Sequence, residues 1–81
     1  MKPTLKFFYS ESCHLCESLK PIITELNSVL NIQMINTETD TILTENYNVE
    51  WVPSLVIEDQ TGKHIFEGVE EIKQVLKKLI S

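Results

Sequence analysis

The chain has 81 residues, 42% of them hydrophobic, with 7 lysines, no arginine and 12 acidic side chains for a formal net charge of −5. That length holds one small domain around one core, expected to span residues 1–81. The acid excess argues against nucleic acid and anionic membrane surfaces as partners, and no apolar run exceeds three residues, where a membrane span needs about 20.

Met1-Lys2-Pro3-Thr4 leads directly into Leu5-Lys6-Phe7-Phe8-Tyr9, and Lys6 interrupts the apolar stretch. A signal peptide needs a longer apolar run and a small-residue cleavage site. The expected location is therefore the cytoplasm. Leu5 to Tyr9 reads as a buried strand. Ser10-Glu11-Ser12 follows, with Ser12 or Ser10 the expected helix N-cap. Leu15, Leu19, Ile22, Leu26 and Val29 then recur at steps of 4, 3, 4 and 3, which predicts one apolar face of a helix ending near Asn31. Pro21 lies inside it, removes one backbone donor, and is expected to kink it.

Ile32 to Asn36 reads as a second strand. Thr37 to Asn48 is polar, with Ile42, Leu43 and Tyr47 as apolar anchors of a short helix. Its four threonines lower helix propensity. Pro53 to Glu58, containing Leu55-Val56-Ile57, predicts a third strand. Asp59-Gln60-Thr61-Gly62 is a turn, and Lys63 to Glu67 returns as the fourth strand of a hairpin. Gly68 ends it. Val69, Ile72, Val75, Leu76, Leu79 and Ile80 mark a final amphipathic helix. The order is β-α-β-α-β-β-α, an α/β fold. Its first two strands are expected parallel, its last two antiparallel, and all four share one sheet because neither half can bury its apolar face alone.

Two cysteines, Cys13 and Cys16, sit at the strand-to-helix turn. Such a pair can be a redox couple, half of a zinc site, or a buried structural pair. Only the thiolate attacks a disulfide, and a helix N-terminus stabilises negative sulfur. Cys13 is therefore the candidate nucleophile and Cys16, one turn on, the candidate resolving thiol. His14 between them either adds positive charge beside Cys13 when protonated or points into solvent. His64, on the edge of the fourth strand, is expected exposed, and the sequence shows no partner for it. Zinc would need four ligands, and Cys13, Cys16, His14 and His64 are the only soft candidates, with His14 poorly placed to share them. No metal is expected.

The element order, Cys13-His14-Leu15-Cys16 after the first strand, Pro21 in the helix, and Val52-Pro53 before the third strand resemble the thioredoxin superfamily. The likeness is to its shortest members, the glutaredoxins and mini-thioredoxins. That resemblance implies a four-stranded mixed sheet flanked by three helices. It also implies a cis Val52-Pro53 bond facing Cys13 and Cys16, and a substrate groove near Trp51, Val52, Pro53 and Gly68. The implied activity is a dithiol–disulfide oxidoreductase acting on protein disulfides as a monomer. Its redox-active disulfide would serve without another cofactor, fed by a reductase or by glutathione. A glutathione-linked glutaredoxin is the alternative, followed by an iron–sulfur carrier and a non-catalytic adaptor. Three positions depart from the family patterns. Phe7 stands where thioredoxins carry a buried proton-relay Asp, Ser12 where they carry a Trp, and Ser10 where glutaredoxins carry a glutathione-binding Lys. The glutaredoxin Gly-Gly turn is reduced to Gly68-Val69-Glu70.

Overall fold

In the computed structural model, which describes residues 3–80, the elements are β1 (Thr4–Tyr9), α1 (His14–Leu30), β2 (Ile32–Asn36), α2 (Thr41–Asn46), β3 (Ser54–Asp59), β4 (Gly62–Glu67) and α3 (Val69–Ile80). The strands form one mixed sheet in the order β2-β1-β3-β4. β1 runs parallel to β2 and antiparallel to β3, and β3 pairs antiparallel with β4. No helix among the described residues is long and apolar enough to cross a membrane.

Alternation along β1 divides the core, because successive side chains leave a strand on opposite faces. Leu5 and Phe7 point toward α1 and α3, and there join Leu19, Ile23, Ile32, Leu55, Ile57, Ile72 and Leu76. Phe8 points to the other face and meets Ile35 and Val56, covered by Leu43, Tyr47 and Val49. The short α2 stays in place through its ends. Asp40 caps it by accepting the Leu43 N–H at 3.3 Å, and Tyr47 donates its hydroxyl to Glu58 at 2.8 Å. Ile42, expected as an anchor, is 72% exposed. In a helix of two turns only one face can reach the sheet, and Leu43 and Tyr47, four apart, occupy it.

The inner face of α1 is also displaced from the sequence expectation. Its buried residues are Cys16, Leu19 and Ile23, with Ile22, Leu26 and Leu30 packed at the margin. Leu15 and Val29 are largely exposed. Counting Cys16 as apolar restores the phase, since residues 16, 19, 23, 26 and 30 also step by 3 and 4. The helix continues through Pro21 to Asn31, whose left-handed conformation at φ 53° returns its N–H to the Asn27 carbonyl at 3.1 Å.

The β3–β4 hairpin closes on an Asx turn. Asp59 accepts from the backbone N–H of Thr61 at 2.8 Å and from its hydroxyl, and His64 lies within 3.0 Å of the same hydroxyl and 3.6 Å of Asp59. His64 is exposed, as expected, and has partners that the sequence does not reveal. The two Thr61 bonds hold the Asp59 carboxyl below its usual range, with the His64 charge adding to them. A lowered folded-state value means that stability from this turn is full above the unfolded carboxylate pKa of about 3.9. It is lost as pH falls through the lower folded value. Asp59→Asn should therefore flatten the acid limb of the stability curve below about pH 4, which urea melts at pH 2.5–6 would read.

Candidate redox site

β1 delivers the chain to the site and α1 carries it away. After Tyr9 the backbone turns at the buried Ser10, whose carbonyl accepts the Cys13 N–H at 3.2 Å. The helix begins at His14, and its N-cap is Cys13, not Ser10 or Ser12. The Cys13 Sγ accepts the backbone N–H of Cys16 at 3.1 Å. The two serine hydroxyls face each other at 3.4 Å. Sulfur takes the place an N-cap oxygen usually holds, so an N–H that would otherwise be unpaired at the helix start points at the reactive atom.

Cys13 and Cys16 are joined as a disulfide, with Cα atoms 5.3 Å apart. Cys13 keeps part of its surface, and Cys16 is fully buried beneath it. An attacking sulfur therefore has access to Cys13 and none to Cys16. His14 and Leu15 between them are exposed, Leu15 by 60%. Among the described residues, no three His, Cys, Asp or Glu side chains gather as a metal group.

The second wall of the site enters through the sheet register. Phe8 lies opposite Ser54, and Ser54 lies opposite Glu67. The segments that leave β1, enter β3 and leave β4 therefore meet at one end of the sheet. The Val52-Pro53 bond is cis, as expected. Pro53 is buried, and its carbonyl accepts the Gly68 N–H at 3.1 Å. Gly68 has φ 92°, a conformation that favours glycine. Ser54 donates its hydroxyl back to the Trp51 carbonyl, which fixes the residue before Val52. Trp51 itself is 67% exposed. The expected groove residues Trp51, Val52, Pro53 and Gly68 are thus one hydrogen-bonded loop cluster at the sheet end that carries Cys13.

Charges gather around the disulfide. Lys20 bonds Glu17 at 3.3 Å, lies 3.7 Å from Glu11, and stands 4.7 Å above the Tyr9 ring. Partial desolvation pulls its ammonium down, but the Glu17 hydrogen bond and the charges of Glu11 and Glu17 outweigh this and hold it above the ordinary lysine value. Glu38 accepts the backbone N–H of Glu11 at 3.0 Å. The contact of Glu38 with Glu11, 27 residues apart, needed the fold to become visible. Phe7, in the relay position, is fully buried against the α1 side of the sheet, its ring stacked on Tyr9 with centroids 6.1 Å apart.

With this geometry in hand, the likeness to known proteins has a definite extent. The glutaredoxin-like domain (DUF836) model matches residues 4–80. The chain belongs to this glutaredoxin-like family. It is 33% identical over 76 residues to a thiol:disulfide interchange protein TxlA homolog of Synechocystis, covering 86% of this chain and 42% of that one. It is 31% identical over 86 residues to the chloroplastic thioredoxin Y of rice, covering 99% of this chain and 51% of that one. The chain thus spans about half the length of these relatives or less. Among solved structures, a thioredoxin of Halobacterium salinarum superposes with a TM-score of 0.78 at 26% identity, over 98% of this chain and 72% of that one. A Fasciola hepatica thioredoxin reaches 0.80 at 16% identity, over 94% and 77% of the two chains, and shares the fold. The glutaredoxin-like family is therefore a branch of the thioredoxin superfamily here, with the thioredoxin fold throughout.

Proposed function

We propose that this chain is a dithiol–disulfide oxidoreductase that reduces protein disulfides through Cys13 and Cys16. One observation carries the reading: a partly exposed Cys13 sulfur caps α1 and accepts the Cys16 N–H, with the buried Cys16 sulfur as its disulfide partner. That hydrogen bond and the positive end of α1 favour thiolate over thiol at Cys13. In the reduced protein the Cys13 thiolate attacks one substrate sulfur. A Cys13–substrate disulfide forms, the substrate disulfide breaks, and the first substrate thiolate leaves. The Cys16 thiol gives its proton to the departed first substrate thiolate, and its sulfur attacks Cys13 Sγ. The second substrate thiolate leaves, and the Cys13–Cys16 disulfide of the present structure remains. Two electrons pass to the substrate, and an external dithiol or two thiols must return them. His14, exposed at the first position of α1, supplies additional positive charge when protonated. The backbone of the half-buried Val52, beside the cis Pro53, receives the substrate chain. A reducing compartment such as the cytoplasm suits this chemistry.

A dithiol reductase is the better electron donor than glutathione in this reading. Ser10, in the place of the glutathione-binding lysine, is buried, and the one lysine beside the disulfide is already held by two carboxylates. Glutathione should show no sub-millimolar binding when titrated into the reduced protein by NMR. Insulin reduction should run faster with thioredoxin reductase and NADPH than with glutathione and its reductase. Sub-millimolar glutathione binding centred on Val52 and Gly68 would reassign the chain as a glutathione-linked glutaredoxin. No turnover with either donor would overturn the oxidoreductase reading.

A further inference from the structure

The sheet end that carries Cys13, Pro53 and Gly68 is also where carboxylates collect. Glu11 and Glu17 flank the two cysteines, and Glu38 reaches the Glu11 backbone. Glu50 precedes Trp51, Glu67 lies opposite Ser54 in the ladder, and Glu70 opens α3 just beyond Gly68. Against these six stands Lys20, which is bound to Glu11 and Glu17. Glu50, Glu67 and Glu70 are exposed and make no ion pair among the described residues.

Among the other described lysines, Lys73 follows Glu70 by one turn of α3, and the remaining four lie elsewhere. Lys6 and Lys63 each stand 5.1 Å from the Tyr47 ring on the α2 face. Lys77 and Lys78 occupy the last turn of α3. That turn lies at the far end of the sheet, since Leu79 lines a groove with Pro3, Thr4 and Leu5 at the start of β1. The molecule is therefore polarised, with its negative pole around the disulfide. Within that pole Leu15 and Trp51 are exposed apolar side chains beside Cys13 and Pro53. An apolar centre inside a charged rim is the anatomy of a protein-docking surface. A rim of one sign selects partners of the other, chiefly through the rate of encounter.

Resting on the oxidoreductase reading above, we propose that this surface selects protein disulfides flanked by lysine or arginine. An apolar side chain of the partner rests on Leu15 and Trp51, and its cations face Glu50, Glu67 and Glu70. The same field turns away acidic disulfides.

The test uses the reduced full chain and two cyclic disulfide peptides that differ only in lysine or glutamate beside the cysteines. Each stopped-flow oxidation rate is divided by the same protein's rate with neutral hydroxyethyl disulfide. The lysine peptide should react about tenfold faster at low ionic strength, and the difference should shrink to about twofold near 0.5 M salt as screening shortens the field. The combined Glu50→Lys, Glu67→Lys and Glu70→Lys variant should reverse the preference. Normalising to the neutral disulfide separates this from any loss of fold. Equal normalised rates for the two peptides at low salt, or a preference that the triple variant leaves unchanged, would overturn the charge-selection proposal while leaving the oxidoreductase reading intact. Failure of the wild-type protein to react with hydroxyethyl disulfide would instead overturn the oxidoreductase reading, and this inference with it.

Discussion

Cys16→Ser should accumulate a covalent adduct with a disulfide substrate, and Cys13→Ser should form none. The difference follows from the unequal burial of two sulfurs in one disulfide. Cys13 is partly exposed and its sulfur accepts a helix N–H, whereas Cys16 is fully buried. Without Cys13 no accessible thiolate remains, and turnover should fall to the uncatalysed background. Without Cys16 the first exchange still proceeds, because Cys13 keeps its cap and its access. Serine cannot attack a disulfide at an appreciable rate, so the mixed disulfide persists until an outside thiol releases it. The Cys16→Ser adduct should gain the mass of one substrate half by intact mass spectrometry and vanish with dithiothreitol. An adduct on Cys13→Ser and none on Cys16→Ser would exchange the two roles. Wild-type turnover by both variants would remove the disulfide from the mechanism.

The elements of this fold were legible because each carries a local signal strong enough to survive packing. The apolar, aromatic run of Leu5 to Tyr9, the Asp59–Gly62 turn and the apolar stripe of α3 all emerge close to where the sequence predicts them. The first helix was misphased because Cys16 was read for its chemistry and left out of the apolar count, which moved Leu15 from the surface to the core. The cap was missed for a related reason. Serine and threonine oxygens dominate N-cap preferences, and the sulfur that fills this position was assigned only as a nucleophile. The acidic rim was invisible as a rim. Glu38, Glu50 and Glu67 are far from the cysteines in sequence, and only the register of β1 with β2 and β3, and of β3 with β4, brings their segments to one sheet end. What the sequence could not carry was therefore proximity across strands, whereas the thiol pair, being local, could be read directly and the cis Val52-Pro53 bond followed from the family resemblance.

Phe7→Ala should cost more stability than any other single truncation on β1. Phe7 is fully buried, pairs across the sheet with Leu55, and lies in the cluster that joins β1 to both α1 and α3. Deleting its ring removes a large buried apolar surface and leaves a cavity that three packed elements cannot easily close. Such truncations cost about 3–5 kcal/mol. A domain of 81 residues has a total stability of about 4–12 kcal/mol at the usual 0.05–0.15 kcal/mol per residue. The variant should therefore lose about a quarter of its stability at the least, with Tm falling by about 12 °C or more. Phe8→Ala opens onto the smaller α2-side cluster, where Leu43 and Tyr47 on a two-turn helix can settle inward, so its cost should be lower. The same surroundings explain why Phe7→Asp does not simply restore the thioredoxin relay. Its carboxylate would enter a site lined by Leu19, Ile23, Leu55 and Ile72, with no described cation in that cluster to pair it. Desolvation would raise its pKa and add to the stability loss. Urea melts of the three variants rank these costs. A Phe7→Ala cost of about 1 kcal/mol or less would mean that α1 and α3 close over the vacancy, and that this position is held by more than packing.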